Sequence, residues 1–169
     1  MAQSLSQVFV HFIFSTKNRF AFLTDASIRG RMHAYLAQVL NSQNSPAVEV
    51  GGATDHVHLL CSLGRNNAMA DLIREAKVNS SAWVKTFGGL LLKFEWQSGY
   101  GAFSVNPREI DHVREYIRNQ MEHHRMRTFQ EEYLEILREY RACYDERYIR
   151  GWDELADSDP DTDSDREIW

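Results

Sequence analysis

Two rhythms of apolar and polar residues alternate along the first hundred residues, and their switches lay out the elements. Residues 8–14 (VFVHFIF) form an apolar run rich in β-branched and aromatic side chains, which predicts a buried strand. A polar loop follows at Lys17-Asn18-Arg19. Residues 25–43 carry Ile28, Met32, Tyr35, Leu36, Val39 and Leu40 at helical spacing, with Thr24 or Asp25 as a cap. Residues 41–46 read as a turn. Residues 47–50 and 57–62 predict two strands joined by Gly51-Gly52-Ala53-Thr54-Asp55. A second helix is expected over 66–87, ended by Gly88-Gly89. A short strand is expected near 91–96, then a turn at Gly99-Tyr100-Gly101 and a strand at 103–105. Pro107 suits the first turn of a long third helix over 108–126, and another helix follows over 129–140.

The order β-α-β-β-α-β predicts an α+β fold. It is the ferredoxin-like split β-α-β arrangement: an antiparallel sheet with helices on one face and additional C-terminal helices. Such a sheet leaves its other face free, and nucleic-acid modules use that face. The fold alone assigns no function.

Composition narrows the class. Hydrophobic residues make up 43% of 169, enough for a core, so disorder over the whole length is excluded. No apolar run approaches the roughly 18 residues of a membrane helix. The N-terminus has no basic stretch ahead of an apolar one, so a secretory signal is not expected. Cys61 and Cys143 stand far apart without metal spacing, and a cytoplasmic protein with two free thiols is the simple expectation.

The net charge of −5 conceals two regions. Residues 151–169 hold eight acids and one base, a balance of −7, in a composition typical of disorder. Residues 1–150 hold 18 bases, 16 acids and all seven histidines, a balance of +2. The expected organisation is one domain over 1–150 and an acidic tail over 151–169. The body could accept a polyanion and the tail could not.

Two constellations carry candidate chemistry. In Asp55-His56-Val57-His58, strand alternation puts His56 and His58 on one face, with Val57 turned into the core. Two such imidazoles can chelate one cation, or can be two polar side chains on a solvated face. His11, inside the first apolar strand, reads as a satisfied core or sheet histidine. The second constellation is Tyr116 and Gln120, four residues apart on the predicted third helix. Of the seven tyrosines, Tyr116 alone is followed four residues on by a carbonyl-bearing side chain. Gln is a poor zinc ligand and a reasonable oxygen ligand for magnesium or manganese. The plain alternative is a core aromatic beside a solvated polar residue.

A His-hydrophobe-His strand followed by a Tyr-x-x-x-Gln helix resembles the single-tyrosine HUH transposases of small insertion sequences and the repeat-associated tyrosine transposases. Further stretches are similar: Phe14-Ser15-Thr16-Lys17-Asn18-Arg19, residues 96–105 (WQSGYGAFSV), Glu122-His123-His124-Arg125 and Tyr144-Asp145-Glu146-Arg147-Tyr148. The resemblance spans residues 5–149. The acidic tail has no place in the family's catalytic pattern.

The resemblance implies a metal-dependent DNA transposase, a strand transferase that cuts single-stranded DNA beside hairpins and rejoins it. The tyrosine hydroxyl attacks a phosphodiester, giving a 5′-phosphotyrosine and a free 3′-hydroxyl; no ATP is required, because the bond energy stays in the covalent intermediate. Carried over, Tyr116 is the nucleophile, and His56, His58 and Gln120 hold a divalent metal, Mg2+ or Mn2+. The partners implied are single-stranded or hairpin DNA and a second copy in a homodimer, with no membrane. Localisation is expected to be cytoplasmic, at the nucleoid when DNA is bound. Lys17, Arg19 and Arg118 are the DNA-contact candidates, two in a resemblance motif and one beside Tyr116. Trp96, Tyr100 and Phe103 could stack bases, or serve as core or dimer contacts. His123 and His124 carry no role beyond helix packing or a phosphate contact. The competing class is a domesticated transposase acting mainly as a hairpin or single-stranded DNA-binding module.

Overall fold

The computed structural model describes residues 5–145 and Ile149. Residue contacts group the chain into two units, Met1–Phe129 and Gln130–Trp169. The acidic tail expected over 151–169 lies outside the described residues.

The first unit carries the sheet. In chain order come β1 (Phe9–Ser15), α1 (Ala26–Ser42), β2 (Ala47–Gly52), β3 (His56–Ser62), α2 (Met69–Lys85), β4 (Gly101–Val105), α3 (Ile110–Arg118) and α4 (Gln120–His123). The strands lie in the order β2-β3-β1-β4, and every pairing is antiparallel. This is the predicted split β-α-β arrangement. A fifth helix, α5 (Phe129–Glu139), belongs to the second unit apart from its first residue.

Register sorts the strand residues onto two faces. Val10 pairs with Cys61, Phe12 with Leu59 and Phe14 with Val57. All six are buried and pack with Met32, Leu36 and Leu40 of α1 and Leu72, Ile73 and Ala76 of α2. These helix residues recur at the spacing that gives each helix one apolar stripe. Asp25 caps α1, its carboxylate accepting from Ile28 N at 2.9 Å. His11 pairs with Leu60, Ile13 with His58 and Ser15 with His56, which puts these six on the opposite face.

That opposite face is not free along β2 and β3, as a plain ferredoxin-like sheet would leave it. Ile117 of α3 packs there on Leu60 and Val105, joined by Val113 and Ile110. Close approach depends on Gly51. A Cβ at this position would stand 2.7 Å from Ile117 O and 2.8 Å from Ile117 Cγ2. Gly51 and Gly52 are therefore part of β2 rather than of the turn to β3, which tightens to Ala53-Thr54-Asp55.

Two other expectations need correction. Residues 91–96 do not form a strand. Gly88 and Gly89 adopt φ of 73° and 59° and lead into a 3-10 helix at Gly89–Lys93, after which Trp96 alone bridges to Thr16. The long third helix is interrupted. A 3-10 turn at Pro107–Glu109 precedes α3, and Asn119, with φ −92° and ψ 14°, separates α3 from α4. No Pro or Gly marks this break. It falls where Ile117 and Gln120, both buried, commit the chain to the sheet.

Candidate active site

The site begins with β3. His56 and His58 are both fully buried and lie on the α3 side of the sheet. Each ring is fixed through its Nδ1. His56 Nδ1 is 2.7 Å from Asp55 Oδ1, and His58 Nδ1 is 2.9 Å from His11 Nε2 on β1. A carboxylate accepts, so Asp55 holds the proton on His56 Nδ1 and leaves the Nε2 lone pair of the neutral ring available. Asp55 is itself anchored: Thr16 N donates to Asp55 O at 2.8 Å. The Phe14–Arg19 motif thus supports the loop that orients the first histidine.

The nucleophile candidate comes from α3. The Tyr116 ring lies edge-on to His58, with centroids 5.7 Å apart, and stands 6.3 Å from His11 and 5.4 Å from His123. Its hydroxyl is buried. Tyr116 Oη and His58 Nε2 both lack a hydrogen-bond partner among the described residues. An unpaired buried polar atom costs stability, and two at one place mark a site built for something other than packing.

Gln120 opens α4. Although α3 and α4 are separate helices, its Nε2 still reaches back to Tyr116 O at 3.4 Å, and its Oε1 lies 3.2 Å from His56 Nε2. A ring nitrogen of His56 and one of His58 lie within 4.8 Å of each other. The four residues predicted from sequence are therefore brought together. Two imidazole nitrogens and an amide oxygen suit a divalent cation, and the unpartnered His58 Nε2 fits that use.

Burial tunes His11 and His58 toward the neutral form. It pushes His11 down to about 4. It holds His58 well below the usual range, helped by the charges of His11, His56 and His124. Asp55 goes the other way. Burial works to raise its carboxyl, yet the His56 hydrogen bond and the nearby His56, His124 and Arg19 charges hold it below the usual carboxylate range.

Three supporting residues carried no role in the sequence reading. Asp55 and His11 position the two histidines. His124, one residue beyond α4, places its Nε2 3.1 Å from His56 Nε2. Cross-strand and cross-element neighbours leave no trace in linear spacing, so His11 read as core. For His124 a signal existed, since Tyr116, Gln120 and His124 recur at intervals of four.

The cationic candidates lie on the surface around the first unit. Lys17 Nζ is 2.6 Å from Glu95 Oε2, an exposed pair. Arg19 is half-buried near Asp55. Arg118 Nε donates to Glu49 Oε2 at 2.8 Å and ties the end of α3 to β2. Trp96 and Tyr100 line an open groove of about 840 Å³ beside α2, with Arg74, Lys77 and Lys85. Phe103 is buried in β4. Among the described residues no helix is long and apolar enough to cross a membrane.

Two solved structures share this fold. The chain resembles the crystal structure of a "putative transposase" from Deinococcus radiodurans R1, with a TM-score of 0.58 and 20% identity over 71% of this chain and 95% of that one. It also resembles a REP-associated tyrosine transposase bound to a REP hairpin, with a TM-score of 0.53 and 16% identity over 73% of this chain and 74% of that one. At these identities the likeness is one of fold. Curated protein sequences yield no match. The family model described as "Transposase IS200 like" matches residues 4–120, which is most of the chain and includes His56, His58, Tyr116 and Gln120. The chain belongs to the IS200-like transposase family.

Proposed function

We propose that this transposase cuts and rejoins single-stranded DNA beside hairpins through a tyrosine, with Tyr116 as nucleophile. The observation that carries the reading is the buried, unpartnered Tyr116 hydroxyl held edge-on to His58. In the step, Tyr116 Oη loses its proton and bonds to phosphorus. The bond from phosphorus to the 3′-oxygen breaks, and that oxygen takes a proton. The products are a 5′-phosphotyrosine and a 3′-hydroxyl, and attack by a 3′-hydroxyl on the phosphotyrosine reverses the exchange.

His56, His58 and Gln120 would hold a divalent cation, which supplies Lewis acidity to the scissile phosphate and offsets the charge that builds on its oxygens. Asp55 and His11 keep the two rings turned inward. Gln120 spans the two halves of the site, since its amide faces both the backbone of Tyr116 and His56. Lys17, Arg19 and Arg118 would meet backbone phosphates, and Trp96 and Tyr100 offer rings for unstacked bases. A homodimer would suit a reaction that handles two DNA ends.

The test is a cleavage assay on single-stranded hairpin DNA from the gene's own flanks, with magnesium or manganese, read on a denaturing gel. A covalent protein–DNA band is expected for the native chain and is expected to vanish in Tyr116→Phe, in His58→Ala and on chelation. A native-gel shift without any covalent band overturns the strand-transfer reading in favour of a hairpin-binding module.

A further inference from the structure

A third polar atom on the site's face of the sheet lacks a partner. Ser15 closes β1 and is 1% exposed, and its Oγ is buried without a hydrogen bond among the described residues. Strand alternation puts it on the face of His11, since Phe14 before it packs in the apolar core. Register sets Ser15 directly opposite His56, where cross-strand Cβ atoms stand about 4.5–5.5 Å apart, and diagonal to His58, which pairs with Ile13. The next residue is a useful contrast. Thr16 Oγ1 lies 2.7 Å from Phe20 O and 3.1 Å from Asp55 O, so its hydroxyl is fully engaged while that of Ser15 is idle.

The neighbouring histidines make no use of this hydroxyl. His56 Nδ1 is held by Asp55, and its Nε2 faces Gln120 and His124. His58 Nδ1 is held by His11. His58 Nε2 is open, yet it and Ser15 Oγ leave each other unpaired. Ser15 therefore orients neither ring. The strand end is held through the main chain, where Ser15 O accepts from Gln97 N at 2.9 Å. An alanine would pack at this position without burying an unpaired hydroxyl, so the oxygen itself calls for a use.

We infer that Ser15 is a substrate-contact residue, whose Oγ–H donates to the non-bridging oxygen of the scissile phosphate that the cation does not hold. This rests on the reading of Tyr116 as nucleophile and of His56, His58 and Gln120 as ligands. A phosphodiester has two non-bridging oxygens and no donor of its own. A cation serves one of them, and the other asks for a hydrogen-bond donor. Ser15 offers that donor from a strand, a rigid element, directly before Lys17 and Arg19, which would meet neighbouring phosphates. Charge builds on this oxygen as Tyr116 Oη bonds to phosphorus, so the hydrogen bond strengthens during the step. Its effect falls on the chemistry more than on binding.

The experiment compares the full native chain with Ser15→Ala on the hairpin DNA of the cleavage assay. It reads the rate of the covalent band at saturating DNA, the affinity by native gel, and thermal melting. The DNA carries either an ordinary scissile linkage or a single phosphorothioate there, as separated Rp and Sp forms. Ser15→Ala is expected to melt no lower than native, to bind within about threefold, and to form the covalent band at least about tenfold more slowly. In the native chain, one phosphorothioate form should be slow in Mg2+ and recover in Mn2+, which marks the oxygen on the cation. The other should be slow in both metals, because sulfur is a weak acceptor. Ser15→Ala should slow that second form no further, so the two losses do not add. A full rate in Ser15→Ala, or losses that multiply for both forms, overturns the inference and leaves the Tyr116 reading intact. A fall in melting that accounts for the lost rate assigns Ser15 to the fold and also overturns it. A native chain that gives no Tyr116-dependent covalent band overturns the proposed function and this inference together.

Discussion

The two faces of the sheet are buried to the same depth and do opposite work. Phe12, on the side of α1 and α2, is as inaccessible as His58 on the adjacent strand, on the side of α3. On the first face every strand residue of the core is apolar, and Cys61, its thiol pushed up to about 12 by burial, behaves as one more small hydrophobe. On the second face, three imidazoles are buried with specific partners, while Ser15 Oγ, His58 Nε2 and Tyr116 Oη have no hydrogen-bond partner among the described residues. Burial on one side yields stability, while on the other it yields oriented donors at the expense of stability. Depth in the protein is therefore a poor guide to which residues hold the fold together.

The largest contrast comes from truncating each face. Phe12→Ala is expected to cost about 3–5 kcal/mol, the usual range for a buried aromatic, and to lower the melting temperature sharply. Tyr116→Phe is expected to leave melting within about 0.5 kcal/mol of native or better, because it removes an unpaired buried hydroxyl. Thermal unfolding of the two variants checks this, and a Tyr116→Phe as damaging as Phe12→Ala would break the division of labour.

Acid acts through the histidines, and His33 of α1 is also held down to about 4, chiefly by burial. Burial holds His11 and His124 at about 4, and the unfolded chain returns them to about 6.5. Above pH 6.5 both states leave these rings neutral. Between pH 6.5 and 4 the unfolded state takes up protons that the folded state refuses, so stability is expected to fall across that window. A melting series from pH 8 to 4 should be flat at first and then decline, and replacing His11 by Gln should flatten the decline.

Gly51→Ala sits where the second face meets α3. Its Cβ would press on Ile117 O, a backbone atom with little freedom to yield, so a loss of about 1–3 kcal/mol is expected. The covalent band should fall further than stability alone explains, since the same displacement shifts Tyr116. Smallest is Lys17→Ala. Its exposed pair with Glu95 contributes at most about 1 kcal/mol, while DNA affinity should weaken and the slope of log affinity against log salt should drop by about one.

Much of this was legible in the chain, and the failures have causes. β1 and β3 were readable because a run of branched and aromatic residues has few other uses. The start of α1 was readable because Asp25 is a good cap. Residues 91–96 read as strand because the run through Leu90, Leu91 and Leu92 looks apolar, yet 89–93 form a 3-10 helix. There the glycines ahead of them turn the backbone, and Leu90 and Leu92 stay exposed. The break at Asn119 carries no local signal at all, because packing on the sheet imposes it. For the site, His56, His58, Tyr116 and Gln120 emerged from spacing and family resemblance. His11 did not, because its partner lies 47 residues away on the neighbouring strand.

The concealment of Tyr116 Oη has one more consequence. A phosphodiester cannot touch an oxygen that solvent cannot reach, so the atoms over the hydroxyl must be displaced before any bond is exchanged. On the proposed reading the folded protein is a latent cutter with its blade sheathed. The exposed His123 ring, 5.4 Å from that of Tyr116, is one neighbour that would have to give way, while Gln120 stays beside His56. Stray single strands would then pass unharmed, and only a ligand that grips firmly enough to drive that opening would be cut. Selectivity would lie in the opening, before any base next to the break is read.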